Sequence, residues 1–172
     1  MFGKMKLENL EKLYVDELKD AYDFEHQILD ALPKMEEAAH STELQSAFRE
    51  HRRETENQVR RLEQVFRSLG READRKTCKG MKGLLAEGDE YVKARGDDAT
   101  VDAALISAAQ RVEHYEMAVY GTLRNYAEVL GHGDQARLLD ESLDEESAAD
   151  EKLTELATSG INVEAGTAVA AS

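Results

Sequence analysis

Tryptophan is absent from the 172-residue sequence, and cysteine and proline occur once each. A single cysteine, Cys78, excludes an intrachain disulfide and a multi-cysteine zinc site. A single proline, Pro33, leaves almost the whole chain open to uninterrupted helix. No stretch approaches the roughly 20 apolar residues that cross a bilayer. The opening residues, MFGKMKLENLEKLY, lack the apolar run of a signal peptide, so the expectation is a cytoplasmic protein. Basic residues are scarce as well: 22 Lys and Arg stand against 36 Asp and Glu, for a net charge of −14. That balance argues against nucleic-acid or membrane partners, which need a concentrated basic surface. It suits the attraction of metal cations, and equally it suits plain solubility.

What is present is rich in Leu, Ala, Glu, Lys and Arg, and 41% hydrophobic with 34% charged residues, as a globular helical domain requires. The length fits one domain with a real core. A first helix is expected from Leu7 to about Ala39, with the core row Leu7, Tyr14, Leu18, Ala21, Glu25, Ile28, Leu32 and Met35. Pro33 predicts a kink or break inside it. Ser41 or Thr42 caps a second helix, with Gln45 completing a capping box with Thr42. That helix runs to Leu69 through Leu44, Phe48, His51, Thr55, Gln58, Leu62 and Val65, and stops at Gly70. A shorter helix from Gly80 to Ala94 lies in the less regular stretch that follows. The third long helix begins near Asp98 or Thr100 and ends at GHGD, where Asp134 caps the fourth. The fourth reaches about Ala157 through Leu139, Leu143, Glu146, Asp150 and Leu153.

Loop lengths set the connectivity. Short turns join the first and second long helices, and the third and fourth, so each pair forms an antiparallel hairpin. The middle connection, nearly thirty residues, is long enough to cross the bundle. The expected fold is therefore all-α: a ferritin-like four-helix bundle of two hairpins, joined by a long crossover containing a short fifth helix. Residues 1–157 form this domain and 158–172 a weakly patterned C-terminal tail.

The apolar rows carry an anomaly. On the third long helix the row Leu105, Ala109, Val112, Glu116, Val119, Leu123, Tyr126, Leu130 puts a carboxylate where leucine belongs. The first helix does the same with Glu25. The second offers His51 and Glu54, the third adds Glu113 one turn before Glu116, and the fourth offers Glu146 and Asp150. Glu25 and Glu54 are 29 residues apart and Glu116 and Glu146 are 30 apart, so the two hairpins repeat one design. Taken singly, each residue has a bland reading: a buried stem with a snorkelling head, a hydrogen-bonded core histidine, a solvated edge. Together they converge on one level of the bundle. Burying several bare carboxylates costs many kcal/mol; two divalent ions would neutralise four negative charges, with His51 supplying nitrogen. Hard oxygen donors without thiolate suit iron or manganese, with zinc possible by substitution.

The stretches ELKDAYDFEHQILDALPKM, AFREHRRETENQVRRLEQVF, KTCKGMKGLLAEG, DAALISAAQRVEHYEMAVYGTLRNYAEVLG and LLDESLDEESAADEKLTELA resemble the YciF-like family of bacterial stress-associated ferritin-like proteins, from Leu7 to Ala157. The resemblance implies a four-helix ferritin-like core, a dinuclear metal centre and a homodimer, without an established reaction. The chain departs from the broader di-iron pattern, Glu-x-x-His on the second and fourth helices. Asn57 and Ala149 occupy those histidine positions, so the site is richer in oxygen. The expected metal ligands are Glu25, His51, Glu54, Glu113, Glu116, Glu146 and Asp150. Gln58 and Tyr22 are the candidates to hydrogen-bond them. For Tyr22, as for Tyr115 and Tyr120, ordinary packing is the alternative and the commoner outcome. His26 and His114 adjoin ligands in sequence, but helical phase turns each away by about 100°. Cys78 is expected as a buried thiol.

The leading functional expectation is a di-iron protein that activates dioxygen or peroxide in a stress-related redox or metal-handling role. A non-enzymatic helical dimer with a structural metal or none is the alternative, and manganese catalase-like peroxide dismutation a third.

Overall fold

The structure, a computed structural model, describes residues 7–168. Helix α1 spans Leu10–Ala38, α2 Thr42–Ser68, α3 Lys79–Val92, α4 Asp98–Val129 and α5 Gly133–Leu156. A π-helical turn, Ala157–Ile161, leads into α6, Asn162–Ala168. No helix among the described residues is long and apolar enough to cross a membrane.

Side-chain caps fix most helix starts. Asn9 accepts the Lys12 N–H at 2.8 Å, Ser41 accepts that of Leu44 at 3.3 Å, and Asp97 accepts that of Thr100 at 2.9 Å. The expected Thr42–Gln45 box does not form. Thr42 is already helical, and the Gln45 amide instead donates to the Ala39 carbonyl at 2.8 Å. Asp134 is not a cap either: α5 starts one residue earlier, at Gly133, and Asp134 lies in its first turn, where its charge still suits the helix dipole. Gly70 and Gly131, at φ +67° and +79°, terminate α2 and α4 in the left-handed conformation glycine adopts most readily. The helix runs through Pro33 without a break. Buried Leu32 and Met35 on either side hold it against the core despite the lost backbone donor.

The long helices pack as hairpins α1–α2 and α4–α5, with α1 beside α4 and α2 beside α5. Bonds between the ends give the directions. Asp102, near the start of α4, accepts the backbone N–H groups of His40 and Ser41 at 2.8 and 2.7 Å, so α4 begins where α2 begins. At the opposite end Gln135 of α5 accepts from Tyr14 at 2.8 Å and donates to Ser68 at 2.9 Å. The chain therefore travels the length of the bundle between α2 and α4, the ferritin-like arrangement expected from loop length. Lys76, Arg75 and Cys78 of the crossover bind Asp16 and Asp23 on α1, and α3 then lies against α1 and α4.

The apolar rows point inward as expected, with Tyr14, Leu18, Phe24, Ile28, Leu44, Leu62, Leu105 and Leu123 almost wholly buried. Leu7 is the exception at 65% exposed, because α1 begins only after Asn9. The segment expected as an unpatterned tail is helical as far as residue 168 and packs on α4, with Ile161 buried. Residues 169–172 lie outside the described residues.

Candidate metal centre

The four long helices converge on a polar layer in a largely apolar core. Alternating steps of three and four place Glu25 between Ala21 and Ile28 on α1, and His51 between Phe48 and Thr55 on α2. The same spacing places Glu113 and Glu116 on α4 and Glu146 on α5. Glu25, Glu116 and Glu146 are fully buried, Glu113 is 2% exposed and His51 6%. His51, Glu113, Glu116 and Glu146 each offer a ligand atom, and these atoms all lie within 4.8 Å of one another. His51 Nε2 is 3.5 Å from Glu113 and 3.9 Å from Glu146.

Glu25 borders this group from α1. One of its oxygens accepts the Tyr120 hydroxyl, and the other has no partner. Gln58 lies beside the group: its amide donates to Glu146 and, at 3.1 Å, to Glu145.

The other expected residues lie outside this group of four. Glu54 is at the rim, one third exposed, with a carboxylate oxygen 3.5 Å from His51 Nδ1. Asp150 faces outward, accepting from Gln110 at 3.0 Å and lying 3.2 Å from His114 Nε2. Tyr22 turns away from Glu25: its hydroxyl donates to Glu63 at 3.2 Å and its ring packs edge-on against His26 and Phe66. Tyr115 meets Cys78 at 3.1 Å and packs edge-on against Phe24, so it follows the packing alternative. Cys78 is buried, as expected. Tyr120 does not follow packing alone, because it bonds Glu25. The available signal was its position one turn beyond Glu116 on the same face.

Electrostatics set this layer apart. Burial pushes the Glu25, Glu113 and Glu116 carboxyls well above their usual range, and Glu146 pushes Glu25 and Glu116 further. Burial would lower His51, but Glu113, Glu54 and Glu146 outweigh it and carry the imidazole up to about 10. Burial and then Glu25 raise the Tyr120 phenol. Hydrogen bonding is incomplete in the same place. Among the described residues, every buried side-chain N or O atom without a partner belongs to Glu25, His51, Gln58, Glu113, Glu116 or Glu146, apart from Arg124 Nε. Buried polar groups are ordinarily satisfied. Carboxylate oxygens and an imidazole, all without partners and this close together, could hold a divalent cation.

A family model described as "Domain of unknown function (DUF892)" matches residues 9–166. Protein YciF of Escherichia coli (strain K12) is 41% identical over 162 residues, covering 94% of this chain and 98% of that protein. The chain belongs to the YciF-like family. Its fold is the family's: the crystal structure of the E. coli stress protein YciF superposes with a TM-score of 0.87 at 42% identity, over 90% of this chain and 98% of that one. YcfI from Rhodopseudomonas palustris, called a structural protein, gives 0.85 at 42% identity with the same coverage. In this member of the YciF-like family, the orphaned atoms lie on all four long helices, so the polar layer is a feature of the whole bundle.

Proposed function

We propose that the chain is a dinuclear metal protein, with iron as the resident metal and manganese as the alternative, serving a stress-related redox or metal-handling role with dioxygen or peroxide. The observation that carries this reading is the concentration of orphaned buried oxygen and nitrogen atoms at one level of all four helices. Glu25, His51, Glu113, Glu116 and Glu146 would hold the ions. Four carboxylates match the charge of two divalent cations, and a cation removes the desolvation and repulsion that otherwise force protons onto these groups. Two bound redox-active ions would supply electrons to the small oxidant. The chain's own part is orientation and shielding. Gln58 fixes Glu146, Tyr120 fixes Glu25, and the apolar residues above and below the layer shield it along the bundle axis. A homodimer belongs to this reading through the family resemblance, and a cytoplasmic location is proposed with it.

Anaerobic titration with ferrous ion, followed by dioxygen or peroxide, tests it. Two ions per chain and oxidation coupled to consumption of the oxidant are expected; absence of uptake sinks the proposal.

A second reading is a structural one, in which the metal or the bundle alone serves a protective scaffold. It is favoured by the description of YcfI as a structural protein and by the absence of Glu-x-x-His on α2 and α5. A large metal-dependent gain in stability without any redox turnover would select it.

A further inference from the structure

A cavity of about 190 Å³ opens between α2 and α5, beside the cluster. Its polar lining is Glu50, His51, Glu54, Glu113 and Lys152, and its walls include Phe48. The small side chains of Ala148 and Ala149 leave the α5 side open. Glu116 and Glu146 are not among its lining residues, so His51 and Glu113 are where the cavity meets the cluster.

His51 stands at the boundary with its two nitrogens on different carboxylates. Nδ1 is 3.5 Å from Glu54, which lines the cavity, and Nε2 is 3.5 Å from Glu113, which belongs to the cluster. Both nitrogens are buried and lack hydrogen-bond partners. Glu50 and Glu54 are one turn apart on α2, so two carboxylates share the outer part of the cavity. The single lysine on the facing helix is 3.3 Å from Glu155, which takes up part of its charge. The cavity thus presents negative potential outside and unsatisfied ligand atoms at its floor.

We propose that divalent cations reach the cluster through this α2–α5 cavity, captured first by Glu54 and His51 Nδ1 before Glu113, Glu116 and Glu146 take them up. The inference rests on the dinuclear reading. It makes Glu54 a transit ligand, which accounts for its place at the rim and outside the group of four.

The test follows cobalt(II) uptake by the full chain with stopped-flow visible absorption, and measures the bound cobalt at equilibrium. Ala149→Leu narrows the cavity and Glu54→Gln removes the capturing charge. Each should slow uptake about tenfold or more, because a charged cleft raises the cation's arrival rate and a plugged one loads only through local opening of the helices. Final cobalt content should match that of the unaltered chain. If Ala149→Leu fails to fold, Ala148→Leu, at an exposed position of the same wall, makes the same test. Unaltered rates in the narrowed and Glu54→Gln variants overturn the route while leaving the dinuclear reading standing. A lower final content in Glu54→Gln makes Glu54 a resident ligand and overturns its transit role. No cobalt bound by the unaltered chain overturns the dinuclear reading, and the route with it.

Discussion

Asp23 and Glu25 lie two residues apart on α1, both buried, in opposite surroundings. Asp23 accepts from the Cys78 N–H at 2.8 Å, the Gln27 amide at 2.6 Å and the Arg75 guanidinium at 3.0 Å. Burial alone would raise its carboxyl, but these partners prevail and hold it below the usual range. Glu25 has one hydroxyl partner, an orphaned second oxygen, and a carboxyl raised by burial and by Glu146. The first is a finished structural joint between α1 and the crossover. The second belongs to a layer that a cation would complete. Burial of a carboxylate does not separate the two roles; the accounting of its lone pairs does.

The contrast is broken most directly by a metal. With both positions filled at a hundredfold excess over Kd, binding to the folded chain alone adds about 5 kcal/mol. Urea denaturation in cobalt(II) and in chelator should differ by that order, and coincident curves would remove the distinction between the layers. Next in size is Asp23→Ala, which orphans the Cys78 N–H and frees Arg75. A loss of about 2–3 kcal/mol is expected, equal with and without metal. A loss that appears only with metal would instead tie the crossover to the centre.

Glu116→Met should act with the opposite sign in chelator. Both carboxylate oxygens of Glu116 are unpartnered, so an apolar side chain of similar volume is expected to stabilise the metal-free chain by about 1–3 kcal/mol. The same substitution should diminish the gain from metal. Destabilisation in chelator would mean that Glu116 already has a favourable setting without a cation.

The sequence carried much of this, and helical phase explains the boundary. Glu25, His51, Glu113, Glu116 and Glu146 are legible because each interrupts or adjoins an apolar row that points inward. Asp150 follows Glu146 by four residues, which rotates it by about 40°. That is enough for His114 and Gln110, on the outer side of α4, to claim it. Glu54 follows His51 by three residues and is rotated by about 60° the other way, to the rim. Row membership identifies the inward residues; it does not say how wide the polar layer is. Asp23 and Asp102 were hidden for another reason. Their partners belong to the crossover and to the α1–α2 turn, and those meetings depend on tertiary docking that no local pattern encodes. The helix starts show a milder form of the same limit: Ser41 and Asp97 cap by local chemistry, while Pro33 is overruled by its packing.

The smallest expected effect probes the least legible member of the centre. Tyr120→Phe removes only the hydroxyl donated to Glu25 and keeps the ring that meets Phe24 edge-on at a centroid distance of 6.0 Å. Packing alone predicts almost no change. A hydrogen bond to a buried carboxyl predicts a loss of about 1 kcal/mol in chelator, because Glu25 would then have both oxygens orphaned. In cobalt(II) the cation can satisfy Glu25 directly, so the stability loss should shrink while the visible spectrum shifts with the released carboxylate. Equal losses in chelator and cobalt(II), with an unchanged spectrum, would make Tyr120 a packing residue and align Glu25 with Asp23. A loss confined to chelator, together with a spectral shift, would keep the two carboxylates in their separate roles on the same helix.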